Sequence, residues 1–359
     1  MHASPGASRR QSLLGIVSLV LFVGIHLGSL AAVVVGVSWR SALLAVALYW
    51  LRMFGITAGY HRYFSHRAFK TSRPFQFLLA ALGASSLQKG PLWWASLHRV
   101  HHRWSDTPRD LHSPKQRGFW YSHVGWILSP EHDETDLTLV PDLARYPELL
   151  WINRYHWVPA LALAFFCYAV DGARGLVWGM GVSTVVLWHC TFTINSLAHV
   201  WGSRRYETTD TSRNNLVLAL ITMGEGWHNN HHHYMNSANQ GFFWWEVDAS
   251  YYVLRALSWV RVVRDLRVPP AHVLQPKLAR AAALAGVTLA EAKAAAEATI
   301  AEARSAAEAT IAEARSAAEA TLTEAREAVT EATTAAEQRV REAVEHAVEE
   351  ATPKVPSPT

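Results

Sequence analysis

The chain has 359 residues, half of them hydrophobic, and a formal net charge of +4. Its two cysteines, Cys167 and Cys190, lie in apolar stretches without CxxC spacing, which argues against a disulfide scaffold or a zinc ribbon. Charge is unevenly divided, because residues 291–359 hold 14 acidic and 7 basic residues, so residues 1–290 carry +11. The composition therefore predicts a basic, apolar body followed by an acidic tail.

Four apolar stretches follow one another along the body, at residues 12–37, 41–60, 157–170 and 175–200. About 20 apolar residues cross a bilayer, and the first stretch is too long for a secretory signal peptide. Taken as two transmembrane hairpins, they predict an all-α, multi-pass membrane domain at residues 12–267. Basic residues flank the first and fourth spans and place both termini in the cytoplasm. These residues are Arg9, Arg10, Arg204, Arg205 and Arg213.

Most of the 19 histidines fall at the expected cytoplasmic ends of the spans or between the hairpins. Two HxxHH triplets stand out, because positions i, i+3 and i+4 share one face of an α-helix. Each triplet is therefore predicted to form a triangle of imidazoles. The triplets are His98, His101 and His102, and His228, His231 and His232.

Two further pairs accompany the triplets. Asn195 and His199 are four apart and are expected to project together from the end of the fourth span. His61 and His66 are five apart, about 140° around an α-helix, so either the helix breaks or the two side chains bracket the site from different sides. The total of nine imidazoles exceeds what one ion binds, and two metal ions are predicted. Redox-capable metals beside a bilayer indicate oxygen chemistry on a lipid. The alternative, a surface patch of histidines, is disfavoured because it would not bring four such motifs together.

The segments GYHRYFSHRAF, HRVHHRWSD, HSPKQRGFWYSHVGWIL, NSLAHVWG and GEGWHNNHH, in this order, resemble the membrane fatty-acyl desaturases of the stearoyl-CoA Δ9 type, in a branch that looks bacterial. The resemblance covers residues 57–267. It implies four spans with a cytosolic helical cap, in a bacterial inner membrane with the metal site cytoplasmic. It also implies two Fe2+ ions, for which zinc can substitute in a purified sample. The implied ligands, with the Asn acting through a water, are His61, His66, His98, His101, His102, His199, His228, His231, His232 and Asn195.

In this family the acyl chain occupies a kinked tunnel beneath the metals, and the residues at the matching positions here are Gln88, Trp94 and Thr191. A departure concerns the headgroup, because the Arg-Asp pair that holds coenzyme A in animal members is replaced by Ser96 and Leu97. Acyl-CoA is the expected substrate, with carrier-protein and phospholipid acyl chains as alternatives.

The resemblance implies O2-dependent insertion of a cis double bond at Δ9, with Asp106 and Glu225 expected to orient ligand imidazoles. Because no nucleotide fingerprint or CxxC cluster occurs, electrons are expected from a separate ferredoxin, cytochrome or flavin reductase. Membrane lipid is a further expected partner, and nucleic acid is not. The alternative is a membrane di-iron hydroxylase of fatty acyl, alkane or sterol substrates, which uses the same class of site. A metal transporter is disfavoured, because its ligands would lie inside the spans.

The acidic tail is predicted to be helical, because residues 295–327 repeat every 11 residues and are rich in Ala and Glu. An 11-residue period is typical of right-handed supercoils. Its apolar stripe of Ile300, Ile311 and Leu322 is thin, which favours a solvated extension over self-association. The segments expected outside the membrane domain are a cytosolic start at 1–11, a linker at 268–290, this helix at 291–352 and a Pro-containing tail at 353–359.

Overall fold

The protein, seen in a computed structural model that describes residues 5–274 and 289–351, falls into two units, Met1–Leu274 and Gln275–Thr359. Within the described residues, the only strands are the antiparallel pair β1 (Lys70–Thr71) and β2 (Val263–Arg264). The expectation of a mostly helical protein is confirmed. Outside the described part lie residues 1–4, most of the expected linker (275–288) and the Pro-containing tail, and the side chains of Arg9 and Arg10 are also not described.

The helices of the first unit are α1 (Pro5–Leu30), α2 (Ala32–Val35), α3 (Trp39–Phe54), α4 (Arg73–Ala84), α5 (Pro91–Trp104), α6 (Pro114–Arg117), α7 (Trp126–Leu128), α8 (Pro141–Ala144), α9 (Pro147–Arg154), α10 (Val158–Gly175), α11 (Ser183–Asn195), α12 (Leu216–Ile221), α13 (His228–His233), α14 (Ala249–Trp259) and α15 (Ala271–Leu274). Wider π-helical turns occupy Gly55–Ser65, Tyr121–Gly125 and Leu176–Val182. Short 3₁₀ turns occupy Pro130–His132, Leu137–Leu139 and Leu197–His199.

In the described part of the chain, three apolar helical stretches are long enough to cross a membrane: Ile16–Val35, Trp39–Ser65 and Val158–His199. The third has 42 residues, which as one straight helix would measure about 63 Å, twice the hydrocarbon thickness of a bilayer. Its helix is interrupted where Asp171 and Gly172 leave the helical conformation. A Cβ atom added at Gly179 would lie 2.9 Å from the sulfur of Cys167, so the two halves of this stretch pack against each other.

The second stretch, Trp39–Ser65, contributes many side chains to the main hydrophobic core of the first unit. Its π-helical part packs so closely against α4 that a Cβ atom added at Gly83 would lie 2.1 Å from the ring of Tyr60. Helix α5 is fixed at its first turn by Asn153, whose side-chain oxygen accepts hydrogen bonds from the backbone N–H groups of Leu92 and Trp93. These contacts set the positions of the two histidine-bearing segments in α5 and in the π-helical turn.

The described part of the second unit is one helix, α16 (Leu289–Ala351), which occupies most of the predicted tail. Its Ile300, Ile311 and Leu322 side chains are more than half exposed. The described charged side chains include an i,i+4 pair in which Arg304 contacts Glu308 at 3.0 Å. Such exposed pairs stabilise a helix by a few tenths of a kcal/mol, so local propensity accounts for most of its stability.

Candidate metal centre

The π-helical turn at Gly55–Ser65 brings His61 and His66 together. The backbone N–H of His66 donates to the carbonyl oxygen of His61 at 3.2 Å, five residues earlier, as in a π-helix. Residues five apart then lie nearly above one another, and the two ring centroids are 4.9 Å apart. Neither sequence-based alternative, a helix break or side chains on different sides, is correct, because the helix widens instead.

Two groups of imidazoles bring together all nine histidines predicted as ligands. In each group the candidate ligand atoms all lie within 4.8 Å of one another. The five-His group contains His61, His66, His98, His102 and His231. The four-His group contains His101, His199, His228 and His232.

Each HxxHH triplet forms the predicted triangle of imidazoles, with ring centroids 4.3–6.1 Å apart, but the triplet divides between the two groups. From α5, His98 and His102 join the five-His group, and His101 joins the other. From α13, His231 joins the five-His group, while His228 and His232 join the four-His group. The two helices therefore interlock, which holds the two groups next to each other.

The spacing of the ring nitrogens fits metal ligation. In the five-His group, Nε2 atoms approach at 2.8 Å between His66 and His98 and at 3.0 Å between His61 and His231. In the four-His group, the Nε2 atoms of His199 and His228 are 3.1 Å apart. Nitrogens that bind one ion at about 2.0–2.1 Å lie about 3 Å from one another. The buried Nε2 of His232 has no hydrogen-bond partner among the described residues, as expected of a free ligand atom.

Carboxylates lie behind four of the nine rings. Glu225 contacts the Nδ1 of His61, and Asp106 lies 3.2 Å from that of His199, so both acids predicted from the sequence contact an imidazole. Two more carboxylates contact ligand imidazoles and were not predicted from the sequence. They are Asp110, 2.9 Å from the Nδ1 of His101, and Asp210, 2.7 Å from that of His232. Such contacts fix the ring orientation and leave Nε2 free for a metal.

Burial keeps most of these imidazoles neutral. It lowers the pKa of His66, His98, His102, His228 and His231 well below the ordinary value, and neighbouring imidazoles lower it further. Burial also lowers the pKa of His232, to about 4, against the opposing charge of Asp210. The exception is His101: burial lowers its pKa, but the charge and hydrogen bond of Asp110, with the charges of Asp106 and Asp210, together raise it above the ordinary value. Neutral imidazole is the form that binds metals.

Two cavities meet at the residues expected to line an acyl tunnel. The larger, about 210 Å³, and the smaller, about 40 Å³, share Trp94, His98, Thr191 and Asn195 in their walls. Gln88 borders the larger cavity, and its amide donates a hydrogen bond of 3.3 Å to the Thr191 hydroxyl. The Trp94 ring stacks on His98, with the centroids 4.7 Å apart. The predicted tunnel residues and Asn195 therefore lie together where the cavities adjoin the five-His group.

Several other histidines lie outside these groups. His233 stacks on Tyr206 at 4.0 Å, and His26 and His189 are joined within the apolar stretches by a 3.1 Å hydrogen bond. His112 has no partner at helical spacing in the sequence, yet its ring lies 4.2 Å from that of His101. His101, Asp110 and His112 form a third possible metal-binding group. The DxxxD spacing of Asp106 and Asp110 is the local sequence signal for this cluster.

Taken together, apolar helices and two buried groups of imidazoles beside an apolar cavity define a helical protein of the metal-dependent lipid-modifying class. The sequence profile of the family described as "Fatty acid desaturase" matches residues 37–267. A chloroplastic palmitoyl-monogalactosyldiacylglycerol delta-7 desaturase from Arabidopsis thaliana is 39% identical over 71% of this chain and 69% of its own length. The chain therefore belongs to the fatty acid desaturase family, and the resemblance seen in its motifs is confirmed.

Two further relatives show the range of substrates in the family. An sn-1 stearoyl-lipid 9-desaturase from Anabaena variabilis is 35% identical over 70% of this chain and 93% of its own length. An icosanoyl-CoA 5-desaturase from Limnanthes douglasii is 39% identical over 64% of this chain and 65% of its own length. The protein is thus an oxidoreductase of lipid metabolism, and family membership does not favour the hydroxylase alternative.

Proposed function

We propose that this protein is an O2-dependent membrane desaturase that inserts a cis double bond, at Δ9, into a saturated acyl chain. The observation that carries the proposal is the contact between the cavities and the metal centre, because Trp94, Thr191 and Asn195 border both cavities beside His98. An acyl chain that passes this point would bring a methylene within reach of both imidazole groups. The Δ9 position follows from the motif resemblance, while relatives named as 5-, 7- and 9-desaturases have similar identity.

The proposed membrane arrangement has four spans. The interruption at Asp171 and Gly172 and the packing of Gly179 on Cys167 support two crossings by the stretch Val158–His199. The remaining short helices would form a cytosolic cap, with both termini and the metal site on the cytoplasmic side of a bacterial inner membrane. The excess of Arg after the fourth span supports this orientation.

The proposed cofactor is a pair of Fe2+ ions, held by the five-His and four-His groups, with Asn195 acting through a water. The all-nitrogen set of donors fits iron, and zinc binds the same ligands in a purified sample. When bound, iron together with O2 and two external electrons supplies the oxidant for an unactivated C–H bond, which no side-chain acid or base can attack.

The chain's own residues position the substrate and the ligands. The hydrogen bond between Gln88 and Thr191 lies in the wall of the larger cavity, and Thr191 also borders the smaller one. The proposed acyl chain bends at this point, in a conformation from which vicinal hydrogens leave as a cis pair. The aromatic rings of Trp93, Trp94 and Trp188 in the wall exclude water from the chain. Ionised Asp106, Asp110 and Asp210 hold the rings of the four-His group in place.

The headgroup is proposed to be that of a glycerolipid or coenzyme A. The initial expectation of acyl-CoA has little local support, since Ser96 is buried and donates to the Trp93 carbonyl oxygen, while Leu97 borders the larger cavity. Neither residue can replace the Arg-Asp pair of the animal enzymes. The electron donor is proposed to be a separate ferredoxin, cytochrome or flavin reductase.

The test is gas chromatography of total fatty acids from a desaturase-deficient bacterium that expresses the parent chain, His231→Ala or His233→Ala. New cis-9 monoenes are expected with the parent and with His233→Ala, which alters a neighbouring histidine outside both groups. None are expected with His231→Ala. Hydroxylated acids would move the assignment to a hydroxylase. No product from a metal-loaded parent supplied with a reductase would contradict the proposal.

A further inference from the structure

The wall of the larger cavity also includes residues from the membrane-crossing part of the chain, outside both imidazole groups. This wall includes Ser18 of α1, together with His156 and Trp157 just before α10. Ser18 and Trp157 lie at the beginnings of the apolar stretches that start at Ile16 and Val158. In the proposed arrangement these residues lie at the level of the membrane interface, where Trp is enriched and lipid headgroups begin.

Three buried ring nitrogens in the wall of this cavity have no hydrogen-bond partner among the described residues: His112 Nδ1, Trp126 Nε1 and His156 Nδ1. The His112 ring lies 4.2 Å from the ligand candidate His101, and the Trp126 ring lies 4.8 Å from His112, so both lie close to the metal centre. His156 is not part of either imidazole group and lies just before the apolar stretch that starts at Val158. Buried polar atoms are almost always paired, so an unpaired one beside a cavity calls for a partner from a ligand.

The surroundings of His156 favour a neutral oxygen as that partner. Burial, assisted by the charge of Lys89, lowers the pKa of His156 to about 4, so its ring is uncharged at neutral pH. Lys89 itself is occupied, because its ammonium group pairs with Asp133 and lies 4.6 Å above the Trp93 ring. A neutral imidazole next to an apolar cavity suits a carbonyl oxygen better than a phosphate, for which a free cation would be needed.

We propose that the Nδ1–H of His156 donates a hydrogen bond to the carbonyl oxygen of the bound acyl group, and that this contact determines which carbons lie at the metal centre. The inference rests on the proposed function. An acyl chain slides along an apolar wall by one methylene with little change in contacts, since apolar contacts are not directional. A hydrogen bond to the carbonyl forms at one position of the acyl chain only and is lost when the chain slides. It therefore fixes the distance, in carbons, between the carboxyl end and the metal centre. His156 is thus a positioning residue, and esters and thioesters offer the same carbonyl.

The experiment measures double-bond position. Membranes that contain the parent, His156→Phe, His156→Gln or His132→Phe are supplied with a reductase and with stearoyl phosphatidylcholine or stearoyl-CoA. Products are analysed by mass spectrometry of dimethyl disulfide adducts. His132→Phe is the matched control, because His132 also has a buried unpaired nitrogen and packs on Trp126 with the rings 6.3 Å apart, yet it is not part of the cavity wall.

With His156→Phe, the share of displaced double bonds is expected to rise about fivefold, the factor that corresponds to loss of one hydrogen bond. His156→Gln keeps an N–H donor and is expected to restore the parent distribution, and His132→Phe is expected to leave it unchanged. A rise with the phospholipid alone or with the thioester alone supports the contact and identifies the headgroup. An unchanged distribution with both substrates overturns it.

A second measurement does not depend on any variant. An octadecyl ether lipid lacks the carbonyl, so the parent protein is expected to desaturate it with the same loss of positional fidelity as His156→Phe shows with the ester. Fidelity on the ether equal to that on the ester would overturn the inference, even if His156→Phe failed to accumulate. A parent that made no double bond in any of these chains would instead contradict the proposed function.

Discussion

The two imidazole groups differ in what lies behind their rings. In the four-His group, three of the four rings contact a carboxylate through Nδ1, which pairs His101 with Asp110, His199 with Asp106 and His232 with Asp210. In the five-His group, the carboxylate contact found among the described residues is that of Glu225 with His61. Glu225 is also bound by the buried Arg62 at 3.1 Å, which offsets its charge.

This difference shows two ways of holding a metal with imidazoles. A carboxylate behind a ring makes the ring a stronger donor and fixes its orientation, and loss of such a partner typically costs 10–100-fold in affinity or activity. We therefore expect the four-His group to hold its ion through fewer but more basic ligands. The five-His group would rely on ligand number, with less negative charge nearby.

The largest effect is expected from removing one ligand of either group. His66→Ala in the five-His group or His228→Ala in the four-His group should each lower the metal content from two ions to one per chain and abolish desaturation. Metal content by mass spectrometry and turnover with a reductase would be measured on the same sample. If one variant kept its turnover, the two groups would not act as one centre.

A smaller loss is expected when only the negative charge behind a ring is removed. Asp210→Asn should lower metal affinity of the four-His group by about 10–100-fold, because the His232 ring loses its charged partner. Competition with a chelator would measure it. Asp142→Asn is the matched control, since Asp142 pairs with Arg99 at 2.7 Å and contacts no ligand. Equal effects of the two substitutions would contradict the role given to Asp210.

A kinetic difference is expected between the ions themselves. On treatment with a chelator, the five-His group should release its ion first, about tenfold faster, because fewer of its rings are strengthened by carboxylates. Release followed over time should then show two phases, and Asp210→Asn should bring their rates together. A single phase in the parent protein would refute the proposed asymmetry.

The smallest effect is expected at the edge of the four-His group. His233→Ala should leave metal content and turnover within about twofold of the parent, because His233 stacks on Tyr206 and is not part of either group. Because the variant loses this ring contact, its free energy of unfolding should fall by about 1 kcal/mol. Loss of a metal ion in this variant would extend the group beyond His232.

The sequence predicted the membership of the centre better than its geometry. Spacing alone selected the nine histidines, because i, i+3 and i+4 positions are a local property of a helix. It could not predict how the triplets divide, since that depends on how α5 and α13 pack across the centre. Asp210 was missed because it lies 22 residues before His232 in a loop rich in charged residues, where an acidic side chain is ordinary.

The cavities, too, could be predicted from the sequence only in part. Gln88, Trp94 and Thr191 were found through family motifs, and their meeting point in the structure involves residues 103 positions apart in the chain. The unpaired nitrogen of His156 leaves no pattern in the sequence at all, because only tertiary packing decides which polar atoms are satisfied.

The widened turn between His61 and His66 has a consequence for chain length. A π-helix with one residue fewer becomes an α-helix, and two histidines four apart on an α-helix share a face, as these two do five apart. Deletion of one residue between them would thus change the backbone yet still present both rings to the same ion. A chain with HxxxH in place of HxxxxH is therefore expected to keep the ligand pair at this point.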